Sequence, residues 1–448
     1  MAHEIRFFNS MGSKVMPFTP LVPGKVSIYC CGPTVYNDPH IGNFRPVVVF
    51  DVLRRFLKAE GYDVTFVSNY TDVDDKIIKR AKELGITEKE LTESVIEEYR
   101  RLVSEVGSMQ PDLTPRPTVY MDQIIEYVKD LVDKGFAYQS GGDVYLRVRK
   151  IPGYGALSGN SIESLESGAR IAIGEKKEDP LDFALWKETT EGIRWKSPWS
   201  EGRPGWHTEC CVMINSIFKS QNGYIDIHGG GFDLKFPHHE NEIAQSVAHN
   251  GNSLARFWMH NGFININNEK MSKSLGNVVL MKDVVEKYGG LSFRLMTLAS
   301  YYRSPVSFSE ETMHEAMTKK EQLESTFRKA SICLIRNGVD PYQKGKASEP
   351  FLASLADDLN TPNALAVLYE DQKAVNATLR AKEVNAALLL QKFSVFLEEL
   401  SVFGLVFPRI VLTQEDLKLL EAYDEARNAK DFALSDTLRA KLLEKKLF

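Results

Sequence analysis

Apolar positions along the chain follow two rhythms, short β-branched runs alternating with helical spacing in the first part and helical spacing alone in the last. Residues 25–31 read as a strand that runs through Gly32-Pro33 and a loop at 40–44 into helical spacing over 47–57. A second apolar run, 63–68, and helical periodicity over 72–84 complete a strand–helix–strand crossover, the unit of a parallel sheet. Helix-rich sequence continues to about residue 106. The Pro-bearing stretch 110–117 then opens a different texture up to residue 204 that reads as an insertion. It carries a helix near 121–134, a strand at 143–148 and Gly-, Ser- and Glu-rich loops over 153–177. The sheet is expected to resume at 224–228, followed by a glycine-rich loop, Gly229-Gly-Gly-Phe-Asp233, and a helix from about Pro237. A further strand at 262–266 leads into Lys270-Met-Ser-Lys-Ser274. Beyond residue 304 the pattern is helical over 310–336, 355–380 and 381–402, with a polar linker at 337–350. There is no internal repeat or low-complexity run.

The length of 448 residues implies two to four domains and excludes one small domain. Hydrophobic content of 43% with 26% charged residues is that of a folded globular chain. With 55 Lys and Arg against 60 Asp and Glu the net charge is −5, so any nucleic-acid binding must use a local surface. The start of the chain lacks the basic-then-apolar pattern of a signal, and no stretch approaches the roughly 18 apolar residues of a membrane span. A cytoplasmic protein without membrane contact is expected. Five cysteines, Cys30, Cys31, Cys210, Cys211 and Cys333, are too few and odd in number for a disulfide framework, which leaves free thiols or a metal.

Two motifs carry chemistry. His40-Ile-Gly-Asn43 sits where the first strand gives way to a helix, the place where open α/β sheets bind nucleotides and helix N-termini offer N–H groups to phosphate. Gly42 allows close approach to the backbone, and His40 can bond a phosphoryl oxygen. Lys270-Met-Ser-Lys-Ser274 fixes five residues, a chance match in roughly one in ten thousand random chains of this length. Lys270 and Lys273 suit a clamp on a triphosphate whose charge grows at the leaving pyrophosphate. Cys31, Cys210 and the i, i+4 pair His238 and Glu242 make a plausible four-ligand zinc set. Spacing alone leaves Cys30, Cys211 and His239 as alternatives to their neighbours.

On these motifs the sequence resembles the class I aminoacyl-tRNA synthetases, whose signatures are His-Ile-Gly-His and Lys-Met-Ser-Lys-Ser in this order. More narrowly it is similar to the cysteinyl-tRNA synthetase family. The matching blocks are Tyr29-Cys-Cys-Gly-Pro-Thr-Val-Tyr36, Asn69-Tyr-Thr-Asp-Val-Asp-Asp-Lys76, Gly202-Arg-Pro-Gly-Trp-His207, Asp226-Ile-His-Gly-Gly-Gly231, Phe236-Pro-His-His-Glu-Asn-Glu242 and Asp357-Asp-Leu-Asn-Thr-Pro362. Asn43 departs from the first signature, and its amide still offers a donor to phosphate or ribose. The resemblance implies Cys31, Cys210, His238 and Glu242 as zinc ligands, Thr71 and Trp206 in the cysteine pocket, and His228 and Asp233 facing the adenylate, with Asp233 on the ribose. Cys30 and Cys211 then become packing residues. The acidic group Asp72, Asp74 and Asp75 is expected to cap a helix rather than bind a cation.

The expected architecture is α/β: a Rossmann-type parallel-sheet catalytic domain (1–116 and 205–260) with an inserted connective subdomain (117–204), a region holding the second signature and contacting the tRNA stem (261–309), and an all-α C-terminal domain (310–448) for tRNA and its anticodon. The implied reaction joins cysteine to ATP and passes the cysteinyl group to the terminal adenosine of tRNA(Cys), with one zinc ion selecting the thiolate and magnesium accompanying ATP. A monomer is expected. The rivals are a ligase handing the same adenylate to an amino sugar, which has less use for a helical region after residue 310, and a non-catalytic RNA-binding relative. The family usually continues into a short Gly- and Trp-bearing segment, whereas this sequence stops at Lys445-Lys-Leu-Phe448. Either the chain is shortened or its anticodon reading is reduced.

Overall fold

The computed structural model describes residues 3–162, 164, 176–267, 269–270 and 277–447, with the side chain of Lys270 outside the description. Its centre is a parallel four-stranded sheet in the order Ala255–Asn261, Ile225–Gly231, Lys25–Cys30, Asp63–Ser68. The expected crossover between Lys25–Cys30 and Asp63–Ser68 is present, and its helix is Ile41–Ala59. That helix starts six residues earlier than apolar spacing suggests. His40 is its N-cap, and the Asn43 side-chain oxygen accepts from the His40 N–H at 3.0 Å, a reciprocal cap that lets helix begin within an apparent loop and continue through Pro46.

Two strand expectations change. The strand expected at 224–228 runs on to Gly231, so the three glycines of the supposed loop are sheet. Gly229 is bare because the signature helix lies on it: a Cβ there would come within 2.2 Å of the Phe50 ring, while one on Gly230 would meet Leu234 at 2.9 Å. The edge strand Ala255–Asn261 escaped notice, because Arg256, His260 and Asn261 break up its apolar run and it lacks a clean alternation. The helix expected at 72–84 is Asp75–Leu84, capped by the Asp74 carboxylate on the Lys76 N–H (2.8 Å), while Asp72 accepts from Thr118 and Asp75 pairs with Arg203.

The stretch after residue 117 contributes the helix Met121–Asp133 and a five-stranded antiparallel sheet in the order Ala137–Ser140, Asp143–Leu146, Phe183–Glu188, Glu201–Pro204, Trp195–Lys196. A smaller sheet joins Ile264–Ile266 to Glu269–Lys270 antiparallel and to Val306–Phe308 parallel. Helices then dominate. Glu310–Arg336 matches the expected bounds, whereas 355–380 is two helices, Glu349–Ala356 and Thr361–Leu379. The break between them carries Asp358 and Leu359 at positive φ (57° and 52°). Asp358 is buried there and accepts from the Phe8 N–H (2.7 Å) and the Tyr302 hydroxyl (2.9 Å), and pairs with Arg303 (3.0 Å). The expected 381–402 helix is Ala386–Val402, capped by Asn385. No helix among the described residues is long and apolar enough to cross a membrane.

Candidate active site and metal centre

Four elements converge at the C-terminal end of the central sheet, where open α/β sheets place their ligands. Cys31 follows the strand Lys25–Cys30 and is held by its N–H on the Gly229 carbonyl (3.1 Å). Cys210 lies on the helix Trp206–Ile217, His238 just before the helix Glu240–Asn250, and Glu242 on it. One ligand atom from each of Cys31, Cys210, His238 and Glu242 lies within 4.8 Å of all the others. The two sulfurs are 3.7 Å apart, Cys31 Sγ is 3.6 Å from Glu242 Oε1, Cys210 Sγ is 4.0 Å from His238 Nε2, and His238 Nε2 is 2.8 Å from Glu242 Oε1. Zinc bonds of about 2.0–2.3 Å place tetrahedral ligand atoms roughly 3.3–3.8 Å apart. The sulfur–sulfur and Cys31–Glu242 separations fall in that range, Cys210–His238 is slightly longer, and His238 and Glu242 are drawn together by their hydrogen bond, so the donor set fits a zinc ion with a small parting of that pair. Cys31, His228, His239 and Glu242 form a second group that meets the same closeness criterion, so the sequence ambiguity between His238 and His239 has a spatial counterpart.

Charge in the cluster is strongly redistributed. The hydrogen bond from Cys31 brings the Cys210 thiol down to about 6, while burial pushes Cys31 well up. Burial opposes ionisation of Glu242, yet His228 and His238 outweigh it and hold the carboxyl well below its usual range. Burial likewise opposes protonation of His238, and Glu242 and Cys210 overcome it, raising the ring to about 10. A thiolate and a carboxylate thus share a buried pocket with a protonated imidazole, the positive charge whose place a metal cation could take.

Around this group sits a layer of histidines, of which the sequence reading named His228, for another role, and His239, as an alternative to its neighbour, and missed His207 and His260. His228 is fully buried, its Nε2 2.6 Å from Glu242 Oε2 and its ring stacked on Trp258. His239 Nδ1 lies 2.8 Å from His260 Nε2, and His260 Nδ1 2.7 Å from the Ser10 hydroxyl. His207 meets His238 Nδ1 to Nδ1 at 2.9 Å. Five of the nine histidines in the chain gather here, and their crowding between residues 207 and 260 was the available signal. Asn69 was missed too. Its side-chain oxygen accepts from the Gly32 N–H (2.9 Å), and a Cβ on Gly32 would meet the Asn69 carbonyl at 1.7 Å.

A cleft of about 520 Å³ opens beside the cluster. Its lining includes Cys31, His40, Gly42, Asn43, Trp206 and Asp233. Trp206 stacks on His238 with ring centroids 4.2 Å apart. Thr71 and His228 are buried behind the wall: the Thr71 hydroxyl donates to Glu209 Oε2 (3.2 Å) and accepts from Asn69 Nδ2 (3.1 Å). Asn43 spends its oxygen on the helix cap, which leaves its amide nitrogen as the expected donor to a nucleotide. The region just after the second signature is tied to the first: Ile41 N–H donates to Val279 O (3.0 Å), and Met281 N–H to Pro39 O (2.9 Å). Lys270 ends the short strand Glu269–Lys270, and Lys273 lies outside the described residues. A larger cavity of about 950 Å³, between the helices Glu310–Arg336 and Thr361–Leu379, contains none of the expected site residues.

Comparison with known proteins identifies the family. Residues 17–318 match the family described as tRNA synthetases class I (C) catalytic domain, and residues 350–407 match the DALR domain. The chain is 47% identical over 458 residues to the cysteine–tRNA ligase of Shouchella clausii, covering 99% of this chain and 97% of that protein. It is 45% identical over 453 residues to the cysteine–tRNA ligase of Geobacillus thermodenitrificans, covering 99% and 96%. Among solved structures, Mycobacterium tuberculosis methionyl-tRNA synthetase bound by methionyl-adenylate shares the fold at a TM-score of 0.61 and 15% identity, over 92% of this chain and 96% of that one. A catalytic-domain match across more than half of the sequence, together with near full-length similarity to these ligases, shows that the chain belongs to the cysteine–tRNA ligase family of class I aminoacyl-tRNA synthetases.

Proposed function

We propose that this chain activates L-cysteine with ATP to cysteinyl-adenylate and transfers the cysteinyl group to the terminal adenosine of tRNA(Cys), choosing its amino acid at a zinc centre. The observation that carries this reading is the meeting of two thiols, an imidazole and a carboxylate at the inner end of the cleft on which the first signature opens. Cys31, Cys210, His238 and Glu242 would hold the zinc, with His228 and His239 as supports. When bound, the ion supplies a Lewis-acidic centre that favours a thiolate over the far less acidic hydroxyl of serine.

The remaining work is binding and charge placement by this chain's own groups. Trp206 at the cleft mouth and Thr71 behind it frame the amino acid. The N-terminus of the helix Ile41–Ala59, with His40 at its cap, directs N–H groups to the phosphates, and Gly42 leaves room for them. Asp233 faces the ribose hydroxyls. Lys270 and Lys273 neutralise the departing pyrophosphate, and magnesium travels with ATP. The helical region after residue 310 serves tRNA, and the enzyme acts as a cytoplasmic monomer.

Cysteine-dependent ATP–pyrophosphate exchange without tRNA, and charging of tRNA with cysteine, test the two halves of this reading. Lys273→Ala is expected to abolish exchange, and exchange at the wild-type rate in that variant would refute the clamp. Cys210→Ser is expected to lose its zinc, and a full equivalent of metal would refute the ligand set. Exchange without charging of intact tRNA would instead favour a small amine as the acceptor.

A further inference from the structure

Arg45 stands on the second turn of the signature helix and is 1% exposed. Its guanidinium serves no carboxylate among the described residues and reaches three backbone carbonyls instead. Nη1 donates to Phe263 O at 2.5 Å, and Nη2 donates to Tyr301 O at 3.3 Å and to Ser304 O. Burial lowers its pKa to about 10, which leaves it cationic at neutral pH. An uncompensated buried cation is costly, and an apolar side chain would fill the space more cheaply. The arrangement is therefore read for its geometry. A planar fork of donors spans carbonyls on separate backbone stretches from nitrogens held at fixed spacing, whereas the three donors of an ammonium radiate from one point.

The carbonyls belong to two backbone stretches that touch. The Gly262 N–H donates to Tyr302 O (2.9 Å) and the Val306 N–H to Phe263 O (3.0 Å), and a Cβ on Gly262 would come within 2.6 Å of Ser304 O. From this joint the chain continues into the strands Ile264–Ile266 and Val306–Phe308, and the former pairs with the strand that brings in Lys270. Gly262, Phe263 and Ile264 also line the cleft, as do Gly42 and Asn43 of the signature helix.

We propose that Arg45 is a positioning residue for the nucleotide: by bracing the signature helix against the 262–264 and 301–304 backbones it sets the width of the slot that ATP fills. The inference rests on the proposed ATP chemistry but not on which amino acid is activated. Zinc-loaded Arg45→Lys is expected to lose tenfold or more in kcat/KM for ATP in cysteine-dependent exchange. Its KM for cysteine stays within twofold of wild type, and its zinc content is unchanged. Arg45→Met, with no donors, falls further. ATP binding measured by calorimetry is expected to weaken in the same order, a readout that survives even if cysteine is not the substrate. Gly262→Ala, which pushes the same joint apart while leaving Arg45 in place, is expected to show the same ATP-selective defect and serves if the Arg45 variants do not fold. Wild-type ATP affinity in Arg45→Lys would overturn the proposal. So would an equal decline in the ATP and cysteine parameters in either position's variants, since that pattern marks general loosening. Absence of cysteine-dependent exchange in the wild-type enzyme would count against the proposed function alone.

Discussion

Glu242 is gripped from both sides, His238 on one carboxylate oxygen and His228 on the other. A carboxylate oriented this way is pre-set for one ligand geometry, and outer partners of metal ligands typically contribute 10–100-fold in affinity. His228→Ala is accordingly expected to weaken zinc binding about 10–100-fold in a chelator competition, with the fold intact by circular dichroism. Unchanged affinity would remove His228 from the support of the site. Of the proposed ligand set, Cys31, His238 and Glu242 lie inside matching blocks and Cys210 three residues beyond one, which is how the group could be picked out in the sequence. Spacing alone could not choose between neighbours such as His238 and His239, since both rings do reach the cluster. His228 was expected to face the adenylate, and its burial under Glu242 depends on the register of a strand that extends through three glycines. That information is tertiary.

Among the elements, those with strong local signals agreed with their periodicity. Glu310–Arg336 has a capping box at Ser309 and Thr312 and a long amphipathic pattern, so its ends could be read directly. The 355–380 stretch misled because its apolar spacing continues through Asp357–Asn360, where a buried carboxylate bonded to distant partners overrides helix propensity. The helical region also contains a strained choice of charge. Glu399 is fully buried on Ala386–Val402, accepting from the Ser348 hydroxyl at 2.6 Å, and burial raises its pKa to about 8. Because the folded carboxyl holds its proton to higher pH than the unfolded one near 4.3, this group's effect on stability declines as pH rises from about 4 to 8. Glu399→Gln should therefore raise Tm at pH 8, by about 1–2 °C for each kcal/mol recovered in a chain of this size, and change it little at pH 4. A Tm gain of equal size at both pH values would contradict the protonation argument.

At the scale of the whole molecule, catalytic and helical regions are joined by buried polar contacts rather than by apolar packing alone. Arg294 is fully buried. It pairs with Asp51 of the signature helix at 2.5 Å, donates to Val106 O (3.1 Å) and the Ser108 hydroxyl (2.9 Å), and reaches Phe403 O in the helical region. Removing one member of such a pair strands the other, which costs about 3–5 kcal/mol. Arg294→Met is expected to show that loss in urea unfolding, and a loss below about 1 kcal/mol would mean that Arg55, which also pairs with Asp51, suffices alone. None of these couplings has a local sequence signature, because the partners are separated by up to 243 residues. Gly229 shows what such long-range fitting implies for the site. Its carbonyl anchors Cys31 at the thiol end, while its bare α-carbon lets Phe50 seat the helix that begins at the phosphate end. The separation between Cys31 and the N-terminus of that helix is therefore set by a missing methyl group, since a side chain at position 229 would push Phe50, and the helix with it, away from the sheet.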